Sequence, residues 1–126
     1  MTSTAIPGYL HRIHIPTPFP VGPVNVYLAD GERTTLVDCG PRYGPAHWAL
    51  TNGLSDLGHG VDDLRRVLLT HDHADHCGLA AELARISGAE VWTHAANVSR
   101  LAKDGSVVRA WSRDVRRTLS YARLMR

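Results

Sequence analysis

The chain has little of several things, and each shortage excludes something. It holds only 2 cysteines and 1 phenylalanine in 126 residues. Cys39 and Cys77 are too few for a disulfide framework, so a reducing compartment is the expectation. No stretch approaches the roughly 18 uncharged apolar residues of a membrane-spanning helix. The first residues, Met1-Thr2-Ser3-Thr4-Ala5-Ile6-Pro7-Gly8, have neither the basic start nor the apolar centre of a secretion signal, so a cytoplasmic location is expected. There is no internal repeat, low-complexity tract or domain linker. What remains is a chain 44% apolar, enough to bury a core, with 8 histidines, a surplus that points to metal or proton chemistry.

The formal net charge is +2, but it is unevenly spread. Residues 1–98 carry 6 basic and 10 acidic side chains, and residues 99–126 carry 8 and 2. A basic tail can face an anionic partner; an Arg-rich solvated helix face is the favoured reading.

Along the chain, Tyr9 to Ile15 alternates as a strand, and prolines at 16, 18, 20 and 23 make residues 16–23 an extended loop. That loop, ahead of the later motif, is a candidate substrate-facing segment. Residues 24–29 and 33–38 read as a hairpin across Asp30-Gly31-Glu32. Ala46, Ala49, Leu50, Leu54 and Leu57 predict a helix over about 45–57, closed by Gly58 and Gly60. Residues 67–70, Val-Leu-Leu-Thr, predict a strand covered on both faces. A helix is expected over 79–86, another buried strand over 90–94, and a helix from Ala95 to about Lys103. Val107, Val108, Trp111, Val115, Leu119 and Leu124 then predict an amphipathic tail helix. Alternating strands and helices define an α/β domain.

The chemistry lies in His71-x-His73-x-Asp75-His76, directly after the strand 67–70. Catalytic groups in α/β proteins gather where a buried strand opens into a loop. In a continued strand, His71, His73 and Asp75 would share one face and His76 would point away. One site therefore requires the chain to curl into a helix, which Gly78 permits. Three imidazoles and a carboxylate suit zinc, with Fe(II) or Mn(II) as alternative occupants. Four side chains cannot all grip one catalytic ion and leave a position open. A split is natural: His71 and His73 to one ion, Asp75 and His76 to a second, with a shared hydroxide as the hydrolytic agent. Asp75 is also the candidate catalytic carboxylate.

Thr70-His71-Asp72-His73-Ala74-Asp75-His76-Cys77-Gly78 resembles the first metal-binding motif of the metallo-β-lactamase-fold hydrolases, glyoxalase II-like members included. Residues 25–28, Asp30-Gly31 and Leu36-Val37-Asp38-Cys39-Gly40 resemble the strand pair preceding it. Cys39 stands where that family usually has Thr or Ser. The resemblance implies Zn2+, two ions in a complete site, and Asp38 as a carboxylate behind the ligands that orients a histidine; a turn-capping role for Asp38 is the alternative. It also implies an αββα sandwich of two similar halves with mixed sheets covered by helices, in which this chain matches only the N-terminal half.

On that reading residues 1–126 form a single partial domain, with the motif-bearing half at about 9–104 and a basic helical tail at about 105–126. Whole domains of this kind run to roughly 200–250 residues. The family's remaining ligands, a His, a bridging Asp and a last His, come from the second half. His94, the only His after His76, matches a non-ligand position. Without a second sheet, apolar side chains of residues 24–29, 33–38 and 67–70 are expected to be partly exposed, which favours self-association or docking with a C-terminal half. His11, His14, His47 and His59 lack ligand spacing, and Trp48, Trp92 and Trp111 read as core. The expected activity is attack of a metal-bound hydroxide on an ester, thioester or lactam carbonyl, incomplete in this chain. A phosphodiesterase or nuclease using Arg113, Arg116 and Arg117 is the second reading, although nucleic acid is not an expected partner, and an inactive metal-binding or interaction fragment is the third.

Overall fold

Six strands lie side by side in sequence order in a computed structural model that describes residues 9–97 and 108–111. They are β1 (Leu10–Ile15), β2 (Val24–Ala29), β3 (Thr35–Val37), β4 (Arg66–Leu69), β5 (Glu90–His94) and β6 (Val108–Trp111). The first three are antiparallel, because short loops return the chain beside the strand it has just left. From β3 onward the strands are parallel. Helix α1 (Gly44–Asp56) crosses over between β3 and β4; α2 (Ala74–Cys77) and α3 (Ala80–Ser87) cross over between β4 and β5. The sheet is therefore mixed, as expected.

Side-chain alternation divides the sheet into two unlike faces. Leu28, Leu36, Val67 and Val91 are register partners across four strands. With Ile13, Ile15, Val26 and Leu69 they are buried in one core cluster with Ala46, Leu50 and Leu54 of α1 and Ala80 and Leu83 of α3. Gly53 is used for closeness: a Cβ there would meet Ile13 Cγ2 at 2.5 Å, so glycine lets α1 settle on β1. The other face carries Tyr27, Val37, Leu68 and Trp92 in register. Tyr27, Val37 and Trp92 are half-buried there. The exposure expected of these strands is thus confined to one face.

Three expectations need correction. Val108–Trp111 is a strand parallel to β5, where the spacing of apolar residues predicted the start of a tail helix. Val-Arg-Ala-Trp fits either period, and pairing with the open edge of β5 satisfies its backbone groups. The basic tail at about 105–126 is therefore not one continuous helix. The helix expected from Ala95 is a 3-10 turn, Ala95–Asn97, and the other residues of both predicted helices lie outside the described residues. Finally, among the described residues β5 is fully buried on one face and half-buried on the other, with Val91 and Thr93 buried and Glu90, Trp92 and His94 half-buried. No helix among the described residues is long and apolar enough to cross a membrane.

Candidate metal centre

The buried strand β4 ends at Leu69, and the next eight residues carry the motif. His71, Asp72 and His73 form a loop, and His73 is the extended residue capping the one-turn helix α2, which bears Asp75 and His76. The curl required by the spacing is present, but Gly78 serves it differently from the expectation. Its φ of −59° is ordinary helix, open to any residue. What Gly78 supplies is room: a Cβ would lie 2.4 Å from the Arg42 amide nitrogen and 2.8 Å from the Ala74 carbonyl oxygen. The segment after β3 can thus lie against the motif, with the Cys39 N–H donating to the His76 carbonyl at 2.9 Å and Leu79 N–H to Gly40 at 3.2 Å.

The curl gathers all four motif side chains. The His71 ring centroid is 4.7 Å from that of His73 and 4.3 Å from that of His76. His76 Nε2 is 3.6 Å from Asp75 Oδ2. Ligating atoms of His71, His73 and Asp75 lie within 4.8 Å of one another, as do those of Asp38, His71 and His76. Bonds of about 2.1 Å to a tetrahedral ion separate ligand atoms by roughly 3.4 Å. The donors are therefore near ligating distance, they are the N/O set that zinc takes, and they are part-exposed. The residues fit a divalent ion.

Asp38 belongs to the second of those groups but is already occupied. Its carboxylate, 5% exposed, accepts the Thr70 N–H at 2.9 Å, the Thr70 hydroxyl at 2.8–3.0 Å and the His76 Nδ1–H at 2.9 Å. With three donors already held at ordinary hydrogen-bond lengths, it acts on histidine, leaving His76 Nε2 toward Asp75. Asp38 has φ 60°, a left-handed conformation that Asp tolerates better than most residues.

Of the other histidines, His94 ends β5 and its Nδ1 accepts the Ala96 N–H at 3.1 Å. His59 lies between Asp30 (3.3 Å) and Asp63 (3.7 Å), a bridge between two loops that its sequence neighbours gave no sign of. Thr70 is the participant to which the sequence reading gave no role; its signals were its place between the apolar strand and His71 and its position at the head of the family-like motif. Trp48 is 72% exposed, so it is not the core residue expected.

The two thiols sit behind the motif. Burial pushes the Cys39 thiol far up from the ordinary 9.0, and burial, then the Asp72 charge, raises Cys77. A raised thiol contributes stability that is intact below the unfolded value and is lost as pH rises through it. Stability should therefore fall above about pH 9, at up to roughly 1.4 kcal/mol per pH unit. Denaturant titrations at pH 8–10.5 should show a shallower fall in Cys39→Ala; equal slopes would contradict this origin.

A groove of about 330 Å³ adjoins the cluster, lined by Phe19, Val21, His73, Ala74 and Asp75. Phe19 and Val21 come from the proline loop, which is closed on itself by Gly22 N–H to Phe19 (3.0 Å) and the Thr17 hydroxyl to Gly22 (2.6 Å). The loop thus presents apolar side chains to the metal-ligand set from a constrained backbone.

A strand-end cluster of three His and one Asp on a mixed sheet marks an α/β protein with residues that could hold a metal ion, and comparison with known proteins makes the class specific. Residues 19–123 match the family model of the metallo-beta-lactamase superfamily, and the chain belongs to that family. Over 67 residues it is 48% identical to the probable metallo-hydrolase YqjP of Bacillus subtilis (strain 168), covering 53% of this chain and 21% of that protein. A metallo-beta-lactamase family protein of Thermus thermophilus superposes with a TM-score of 0.67 at 34% identity, over 71% of this chain and 30% of that one. A metallo-beta-lactamase of Cronobacter sakazakii superposes at 0.68 and 22% identity, over 84% and 40%, and shares the fold. The chain thus spans between a fifth and two fifths of these relatives.

Proposed function

We propose that this chain carries the metal-binding half of a hydrolase site, with His71, His73, Asp75 and His76 as ligands of zinc and an ester or thioester ahead of a lactam as substrate. The observation that carries the reading is the convergence of the four ligand side chains at the end of β4, beside an apolar-walled groove. A bound divalent ion would supply Lewis acidity and lower the pKa of water. The chain's own residues bind and orient. His71 and His73 serve one ion, Asp75 and His76 a second, and Asp38 fixes the His76 ring. Phe19 and Val21 receive the apolar part of an acyl group and exclude water from one side of it.

Calorimetric titration with zinc tests the ligand assignment. The wild type is expected to take up two ions, and His71→Ala and His76→Ala one each. A single ion in the wild type, lost in both variants, would sink the two-ion split, and no zinc uptake by the wild type would end the metal reading. In a hydrolytically competent form, Phe19→Ala should raise KM about fivefold for esters with long acyl chains and leave acetyl esters unchanged, since partial burial of an aromatic ring is worth about 1 kcal/mol. Equal KM changes for both substrates would remove the acyl-site assignment.

A further inference from the structure

We propose that Thr70 is a positioning residue: its hydroxyl relays the Asp38 carboxylate to His71, so that one buried acid sets the tautomer of two metal-facing imidazoles. The proposal rests on the metal reading above and adds to it a residue that the motif's spacing does not single out.

Counting protons fixes the direction of each bond. Thr70 Oγ1 lies 2.8 Å from His71 Nδ1, 2.8 Å from Asp38 Oδ2 and 3.0 Å from Asp38 Oδ1. A hydroxyl has one proton to give and lone pairs to receive. A carboxylate only accepts, so the hydroxyl proton goes to Asp38. The Thr70 oxygen must then accept from His71, which requires the proton on Nδ1. The reverse direction, Thr70 donating to a bare Nδ1, would leave the hydroxyl oxygen facing both carboxylate oxygens with no proton between them. His71 is therefore held as the Nδ1–H tautomer, with the Nε2 lone pair available to an ion.

His76 receives the same instruction without the intermediary, through its Nδ1–H to Asp38 Oδ2 at 2.9 Å. Both rings are thus oriented by one acid that is itself pinned by the Thr70 backbone N–H at 2.9 Å. The linkage is short because Thr70 adjoins His71 in the chain while its hydroxyl reaches Asp38 across the parallel pair β3–β4. Threonine suits the position doubly: β-branching restricts χ1 and so aims the hydroxyl. Valine has the same shape and branching but lacks the oxygen. It would leave His71 Nδ1 without its partner and the ring free to take the Nε2–H tautomer, whose only bare nitrogen points away from the ligand set.

The test compares wild type, Thr70→Val and Thr70→Ser, with circular dichroism to confirm that all three are folded. In long-range 15N–1H spectra of the zinc-free proteins, His71 should show Nδ1–H in the wild type and in Thr70→Ser, and a shift toward Nε2–H in Thr70→Val. Zinc affinity by chelator competition should fall about 10–100-fold in Thr70→Val, the usual cost of losing a group behind a metal ligand, and stay within about threefold of wild type in Thr70→Ser. Nε2–H on His71 in the wild type overturns the proposal, as does wild-type zinc affinity in Thr70→Val. A wild type that shows Nδ1–H but binds no zinc would remove the metal reading while supporting the relay. One that binds zinc with Thr70→Val indistinguishable would do the reverse.

Discussion

Asp38→Asn is expected to weaken zinc binding about 10–100-fold and to cost the fold about 2–3 kcal/mol, although it changes no side-chain volume and keeps a residue that tolerates the left-handed backbone at φ 60°. The buried carboxylate satisfies three donors: the Thr70 N–H, the Thr70 hydroxyl and the His76 Nδ1–H. An amide has one oxygen and a donor NH2. If the oxygen faces Thr70, the NH2 opposes His76 Nδ1–H. His76 must then lose that bond or move its proton to Nε2, the atom that faces Asp75 at 3.6 Å. If the amide turns the other way, its NH2 faces the part-buried Thr70 N–H, which loses its acceptor. Either way a donor is stranded or a ligand is spoiled. Denaturant unfolding and zinc competition on the same protein measure the two effects separately. Asp38→Gly relieves the backbone and removes every acceptor, so it should bind zinc no better than Asp38→Asn; near-wild-type affinity in either variant would show that Asp38 does not orient His76.

This coupling shows what the sequence could and could not display. The strand before the motif was legible because Val67-Leu68-Leu69 is a short apolar run, and it is buried throughout. Helices α1 and α3 were legible because Ala46, Leu50 and Leu54, and Leu79, Leu83 and Ile86, keep a helical period and end near Gly58 and Gly88, although Ile86 proves exposed and Ala80 is buried beside Leu83. The turn of His76 toward the other ligands followed from spacing alone. Asp38 and Thr70, however, are 32 residues apart. They meet because β3 and β4 are parallel with Val37 beside Leu68, so that the residues just past both strand ends emerge together. No local pattern encodes that register. The strand β6 was illegible for the opposite reason: four residues fit both periods, and the open edge of β5, a tertiary feature, decided between them. Gly78 was picked out as important, yet its reason was hidden, because the chain segment it approaches is distant in sequence.

Gly78→Ala should be the most damaging single-methyl change near the site, lowering stability by about 2–3 kcal/mol and the melting temperature by roughly 10 °C. All three atoms nearest the added Cβ are backbone: Arg42 N at 2.4 Å, Ala74 O at 2.8 Å and the Pro41 carbonyl carbon at 2.9 Å. No rotamer change can relieve the contact, so one segment must retreat. The bonds that hold the segments together, Cys39 N–H to His76 at 2.9 Å and Leu79 N–H to Gly40 at 3.2 Å, must then lengthen. Because the first ends on His76 itself, the strain reaches the ligand set, and zinc affinity should fall together with stability. Gly44→Ala is the matched control. Gly44 opens α1, nothing outside its chain neighbours and its own helix backbone lies within 4 Å of its added Cβ, and its backbone is not left-handed, so alanine there should cost under about 1 kcal/mol even with Pro45 following. If Gly78→Ala melts within about 2 °C of the wild type while Gly44→Ala behaves as expected, the segment after β3 can yield freely, and the motif does not depend on being pressed against it.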